Sequence, residues 1–519
     1  MSDSLLIGLL PDEYWYGGTI TEGYRMPYPP GYQGDTRQHG GNQSAPVLLS
    51  SQGRAIWCEG PFTFQVTAGQ LSVQAVRLQD KIELSAAGTT LADAYQHASA
   101  EHFPFGRGMP DSLLFQMPQY NLWIELLYRP TQAKVLAYAD AVLANGFPPG
   151  VLMIDTLWSP TYTPWRFDAG RFPDPKAMAD ELHAKGFKLM LWVAPFVTAD
   201  TLTFRKLREK GYLLAGADGN PVIARWWDGY SATLDLLNPD AVAWLHEHLD
   251  WLVNELGVDG FKFDGGDPEF YAPLGVSDPL AYCHAWNKIG LHYPLSEFRA
   301  AWKAGGLPLM QRIRDRHHTW DERHGLQSLI PLAIAQGLDG YPFNCPDQIA
   351  GGDYAAFPAS PESQEFMLAE FDVPALDAEL FVRSAQCAAL FPMMQFSAAP
   401  WRVLDAEHAG CCRAAASLHA RLGPEILALA QQAAQSGAPI LRALEYEFPQ
   451  QGYQAIRDQF MLGSAILVAP VIEKGARNRK IIFPPGVWQS EDGETISGPV
   501  ERTVEAPLAR LPWYRKTAA

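Results

Sequence analysis

Four aspartates stand where a chain could bring carboxyl groups together: Asp155, Asp264, Asp315 and Asp347. Each lies at or just after a short apolar run. The clearest case is GVDGFKFDGGDPEF, which begins at Gly257; Val258, Phe261 and Phe263 are apolar strand formers, and Asp264 is followed at once by Gly265 and Gly266. Such a run reads as a buried parallel strand delivering an acid to a loop. Two carboxyls roughly 5–5.5 Å apart, one ionised and one protonated, are the groups that cleave a glycosidic bond with retention. Asp264 is the candidate nucleophile. Lys262 precedes it by two residues and so points to the same side of the strand, where an ammonium would keep the carboxylate ionised.

Asp315, in QRIRDRHHTW, is the candidate acid. Its alternative is a solvated charge among Arg312, Arg314 and Arg316, and arginines lower a carboxyl pKa, the wrong direction for a proton donor. Arg312 joins Lys262, Asp155 and Asp347 as a candidate substrate-binding residue. Aromatic rings gather near the same proposed strand ends: Trp158, Trp192, Trp226, Trp227, Trp320 and Trp401. Sugar C–H faces stack on such rings; core packing is the alternative for any one of them. No metal is expected, because His317 and His318 are adjacent, point apart and lack an HExxH partner. No GxSxG, GxGxxG or GxxxxGK[ST] is present to support a serine hydrolase or a nucleotide fold.

These acids need a frame. Residues 1 to about 115 alternate apolar and polar positions at 63–66 and 71–78, with Gly and Pro between, which predicts a small β-sandwich. Its aromatic loops, at 13–18 and from Gly23, could close one side of a pocket or could be a surface arm. From about 120 strands alternate with helices. Strands are expected at 121–128, 151–155, 187–195, up to Asp264, and near 308–314, 337–343 and 390–396. A helix starts at Thr131 and ends at Gly146, another runs from Asp174 to Gly186, and a third from Pro239 to about Leu256. Alternation at this pace means a parallel sheet with helical crossovers. The fold class is therefore α/β: a (β/α)8 TIM barrel, whose strand ends carry catalytic groups, flanked by an N-terminal and a C-terminal β-sandwich. The domains expected are 1–118, 119–415 and 416–519.

The 519 residues are 47% hydrophobic and 19% charged, enough for a large core. A net charge of −17 argues against nucleic acid or an anionic membrane as a partner and suits a small neutral or cationic substrate. The six cysteines form no CxxC pair and look like reduced, buried thiols. The start of the chain has neither a basic n-region nor a long apolar run, and no stretch approaches the roughly 20 apolar residues of a membrane span. A cytoplasmic protein is expected, with a homo-oligomer left open.

The run FPPGVLMIDTLWSPTYTPWRFDAGRFPDPKAMADELHAKGFKLMLWVAPF through GFKFDGGD resembles glycoside hydrolase family 31, and within it the branch of the myogenesis-regulating glycosidase and bacterial α-galactosidases. RDRHHTWDERHGLQSLIP, DGYPFNCPDQIAGG, PMMQFSAAPWRV and DQFMLGSAILVAPVIEKGA extend the likeness over about 120 to 490. The resemblance implies a retaining α-glycosidase with no cofactor, acting on a small oligosaccharide or glycoside. It implies that Asp264 is the nucleophile, that Asp315, five residues before Trp320, is the acid/base, that Asp155 binds substrate, that Asp347 lies near the pocket base and that Trp192 and Trp227 are pocket aromatics. The family's glucosidases carry a second acid where this chain has Leu157, an Arg-x-His where it has Gln395 and Ser397, and a glycine where it has Arg314. Those departures turn the expectation from glucose toward galactose, with Trp158 and Trp226 as stacking rings. An α-glucosidase or a sulfoquinovosidase of the same family, or a non-catalytic sugar-binding scaffold, are the alternatives.

Overall fold

In the computed structural model, which describes residues 3–37, 42–358, 360 and 376–517, eight strands run parallel in one sheet. In chain order these barrel strands are Gln119–Asn121, Val151–Ile154, Lys188–Val193, Gly260–Phe263, Ser296–Phe298, Met310–Arg312, Asn344–Cys345 and Gln395–Phe396. The first and last pair with each other, and a single bridge between Gln348 and Gln395 spans the remaining gap. The middle strands are buried on both faces, Val-Leu-Met-Ile in the second and Leu-Met-Leu-Trp-Val in the third, as strands between a barrel interior and a ring of helices must be.

The helices begin where capping chemistry puts them. Thr131 and Asp174 accept from the backbone N–H groups of Lys134 and Ala177, and Pro175 and Pro239 sit in first turns, where a missing N–H costs nothing. Gly257 closes helix Pro239–Leu256 in the left-handed conformation and hands the chain to the fourth strand.

Two expected elements differ, and one strand was not foreseen. The strand foreseen over 121–128 ends at Asn121 and gives way to a helical turn, Trp123–Leu126. The run proposed as a strand at 337–343 begins inside the last turn of a helix, Leu329–Leu338, and the strand comes later at Asn344–Cys345. All ten residues of that helix are buried, so it has no polar face to betray a helical period. The three-residue fifth strand, Ser296–Phe298, was not anticipated.

The N-terminal region forms two four-stranded antiparallel sheets. It also sends Gln43–Ser44 to pair in parallel with Ala301–Trp302, just beyond the fifth barrel strand. After the third strand the chain detours through a three-stranded antiparallel sheet, Phe196–Thr198, Ile223–Trp226 and Gly229–Thr233. At the other end, helix Ala406–Ser436 runs across position 416 and packs against helix Ala378–Ala388 and the turn Leu113–Gln116. A six-stranded antiparallel sheet follows, from Leu441 to Thr517, over its own apolar cluster that includes Met461, Phe483, Trp488 and Tyr514. Among the described residues no helix is long and apolar enough to cross a membrane.

Candidate active site

The mouth of the barrel holds a cavity of about 400 Å³, walled by loops that follow seven of the eight strands. The fourth strand supplies its floor. Lys262 and Asp264 alternate with Phe261 and Phe263, so both polar groups enter the cavity while the phenylalanines stay buried. The turn after Asp264 needs glycine. Gly265 and Gly266 have φ of +68° and +75°, and a Cβ on Gly266 would lie 2.4 Å from Trp286 Cδ1. The chain therefore folds back tightly, with Asp264 Oδ1 accepting from the Gly265 N–H at 2.9 Å and Oδ2 from Trp192 Nε1 at 2.9 Å.

Asp264 is surrounded by positive charge. Arg299 Nε is 3.0 Å from Oδ1 and Lys262 Nζ is 3.7 Å from Oδ2. Burial alone would raise the pKa of this carboxyl; Arg299, then Lys262 and Arg312, outweigh it and hold the group below the usual carboxylate value. Lys262 also donates to Asp155 Oδ2 at 3.0 Å, while Asp155 Oδ1 accepts from the Thr156 N–H at 2.8 Å. Burial would lower the lysine's pKa, but Asp155 and Asp264 together raise it.

Arg299 is the residue that sequence reasoning missed. It follows the unforeseen fifth strand, lies over the Trp227 ring at 4.8 Å and touches three acids. Besides Asp264 these are Asp267, at 3.0 Å from Nη2, and Asp315, at 3.9 Å from Nη1. Asp267 also accepts from Asn42 of the N-terminal region, and burial pushes its carboxyl up to about 6. Gln43, beside Asn42, donates to the Arg299 carbonyl at 2.7 Å, so the N-terminal region braces this loop from behind.

Asp315 stands at the rim, with 57% of its side chain exposed. Arg312 Nη1 donates to Oδ1 at 2.8 Å. What burial it has raises its pKa; Arg312 and then Arg299 prevail and hold it well below the ordinary range, with water weakening both effects at so open a position. Arg312 is itself buried, shared between Asp315, Glu297 at 3.0 Å and Asp347. Glu297 accepts from Gln119 and Gln395, tying the fifth strand to the first and eighth across the barrel interior.

The walls are aromatic and polar. Trp192 and the half-exposed Trp227 line the cavity, as do Trp123, Tyr128 and Tyr354, which were not anticipated. Asp228 joins them from the hairpin turn between Ile223–Trp226 and Gly229–Thr233. Five of the sequence candidates do not line the cavity. Trp158 is buried, donates to the Trp192 carbonyl and stacks on Trp165. Trp226 is buried against Phe196, behind Trp227. Trp320 donates to Asp377 outside the cavity, and Asp347 lies beneath Arg312, accepting from the Arg316 N–H. Trp401 packs on Tyr138 and Phe147. A larger hollow of about 560 Å³ beside Cys411 and Trp513 contains none of the barrel acids. Among the described residues no cluster of His, Cys, Asp and Glu could hold a metal ion.

Known proteins share this arrangement of domains. The family model for the glycosyl hydrolases family 31 TIM-barrel domain matches residues 112–304, and that for the family 31 C-terminal domain matches 437–518. The mouse myogenesis-regulating glycosidase is 32% identical over 78% of this chain and 57% of its own. The sulfoquinovosidase of Escherichia coli (strain K12) is 25% identical over 68% of this chain and 53% of its own. The chain thus spans about half the length of the curated relatives it matches. The Flavobacterium johnsoniae GH31 dextranase, solved with glucose, superposes with a TM-score of 0.84 at 20% identity, over 99% of this chain and 66% of its own.

Proposed function

This chain belongs to glycoside hydrolase family 31, and from that premise we propose that it is a retaining, exo-acting α-glycosidase that hydrolyses a terminal α-galactoside. Asp264 attacks the anomeric carbon as the bond to the leaving oxygen breaks, and Asp315 gives that oxygen its proton. Water then attacks the glycosyl ester, Asp315 takes the proton from the water and the Asp264 carboxylate is released. Asp155 holds sugar hydroxyls, Lys262 and Arg299 keep the nucleophile ionised, and Trp192 and Trp227 flank the ring. Arg312 orients Asp315.

The observation that carries this reading is one guanidinium, Arg299, lying against both an enclosed carboxylate, Asp264, and a rim carboxylate, Asp315. An attacking group belongs on the floor and a group serving leaving oxygen and water belongs at the entrance. A pocket walled on nearly every side takes a chain end, which supports exo action. Galactose is favoured by the departures at Leu157, Gln395 and Ser397; the last two are buried, Gln395 bonded to Glu297 and Ser397 to the Ile124 N–H. The test is a panel of aryl α-glycosides with the product anomer followed by NMR. The galactoside should be turned over fastest, with α-galactose appearing first, and Asp264→Asn should lose turnover while keeping its fold. Full activity in that variant refutes the assignment.

A further inference from the structure

We propose that Asp228, at the tip of the hairpin inserted after the third barrel strand, is a specificity-determining carboxylate: it accepts a hydroxyl of the bound sugar, so the cavity takes a neutral polyhydroxylated ring and rejects one with an anion at that end. This rests on the glycosidase reading of the site and goes beyond it, naming a further group that reads the sugar.

Asp228 lines the same cavity as Asp155 and Asp264. It is held in place from two directions. The Trp227–Asp228 turn is fixed by the pairing of Trp226 with Gly229, and the hydroxyls of Tyr162 and Tyr128 donate to Oδ2 and Oδ1 at 2.5 and 3.3 Å. A carboxylate has about four acceptor positions, so two tyrosine donors leave capacity for a ligand. Its surroundings favour a donor that is neutral. Burial raises its pKa, and Asp155 and Asp264 add to that against the effect of the tyrosines; three carboxyls, Asp155, Asp228 and Asp264, line this one cavity. The cations that approach the floor are already shared: Lys262 between Asp155 and Asp264, Arg299 and Arg312 among three acids each. A sulfonate or carboxylate on the sugar would meet these acids, whereas a hydroxyl would donate to them.

The alternative is that Asp228 only anchors the two tyrosines. The two roles separate in a cycle that combines the variants Asp228→Ala, Asp228→Asn and Tyr162→Phe with the monodeoxy analogues of whichever aryl α-glycoside the wild type hydrolyses fastest. If Asp228 grips a hydroxyl, Asp228→Ala loses roughly 10- to 100-fold in kcat/KM on the parent glycoside. The wild type loses a similar factor on one deoxy analogue, and Asp228→Ala loses nothing further on that analogue. Asp228→Asn shows the same pattern with a smaller factor, Tyr162→Phe retains the discrimination, and an aryl α-galacturonide is turned over at least about 100-fold more slowly than the galactoside. Equal losses for wild type and Asp228→Ala on every analogue, or parent activity retained within twofold, overturn the proposal while leaving the glycosidase reading intact. A wild type inert toward every aryl α-glycoside overturns both.

Discussion

Replacing Lys262 with methionine removes one charge from the cavity floor with little change of shape. The ammonium lies 3.7 Å from Asp264 Oδ2. With an effective dielectric constant near 20, Coulomb's law puts their attraction at about 4.5 kcal/mol. Not all of it disappears: Arg299 remains at 3.0 Å, and water entering beside the methionine solvates the carboxylate. If about a third is expressed, the ionised form of Asp264 is weakened by roughly 1.5 kcal/mol, a factor of about ten in its protonation equilibrium. The direction follows from the charge. A cation favours the carboxylate, so its loss raises the pKa of Asp264 and the proposed nucleophile is protonated at higher pH. The acid limb of kcat/KM, which reports the free enzyme, should move upward by about one pH unit or more, on top of a pH-independent loss from the freed Asp155. The assay is a pH series of initial rates on an aryl α-glycoside for wild type and Lys262→Met. A rate lowered by the same factor at every pH, with the acid limb unmoved, would refute the idea that Lys262 sets the ionisation of the nucleophile.

Two further outcomes follow from the frame around the floor. Gly266→Ala forces a Cβ to 2.4 Å from the Trp286 ring at a φ of +75°; a displacement of the Asp264 loop on the order of 1 Å should cost about 100-fold in kcat/KM, whereas Gly211→Ala, with φ +71° and open space around it, should leave kinetics unchanged. Glu297→Gln takes the charge from the centre of a buried bridge that joins Gln119, Gln395 and Arg312; it should destabilise by about 3 kcal/mol, seen as a lower urea midpoint for the barrel.

What could be read in the chain beforehand divides along physical lines. Asp264, Lys262 and Asp155 were legible because a buried parallel strand announces itself as an apolar run, and period-two alternation tells which side chains share a face. Helix boundaries were legible through Thr131, Asp174 and Gly257, whose capping roles depend on near neighbours alone. Arg299 was not legible. Its strand is three residues long, too short for periodicity, and the acids it joins come from other loops at 264, 267 and 315. The tryptophans show the same limit from the other side. Trp158 and Trp226 sit close to strand ends, but which way a loop turns there depends on long-range packing, against Trp165 for one and Phe196 for the other. Asp228 was hidden for a related reason: it reaches the cavity only because the detour after the third strand folds back over the barrel mouth.

The electrostatics of Asp315 bear on the proposal that it both gives and takes a proton. Three cations, Lys262, Arg299 and Arg312, are pressed against six acids: Asp155, Asp264, Asp267, Glu297, Asp315 and Asp347. Such a cluster cannot hold every acid ionised at low cost, and Asp267 and Asp347 are those pushed up by burial. Asp264 and Asp315 are both held down, yet the charge on Asp315 raises the pKa of Asp264, and by reciprocity the charge on Asp264 raises that of Asp315. A neutral sugar ring entering the mouth removes the water that solvates the rim carboxylate, and that loss of hydration, with the repulsion from Asp264, pulls toward a proton on Asp315 against the arginines. Formation of a glycosyl ester would erase the charge on Asp264 and leave Arg312 and Arg299 to draw Asp315 back to the carboxylate, the form that accepts a proton from water. On the proposed mechanism, the same two arginines that keep a proton off Asp315 in the open pocket would return it to the carboxylate once the ester forms, the form that can accept a proton, at the cost of a lowered basicity.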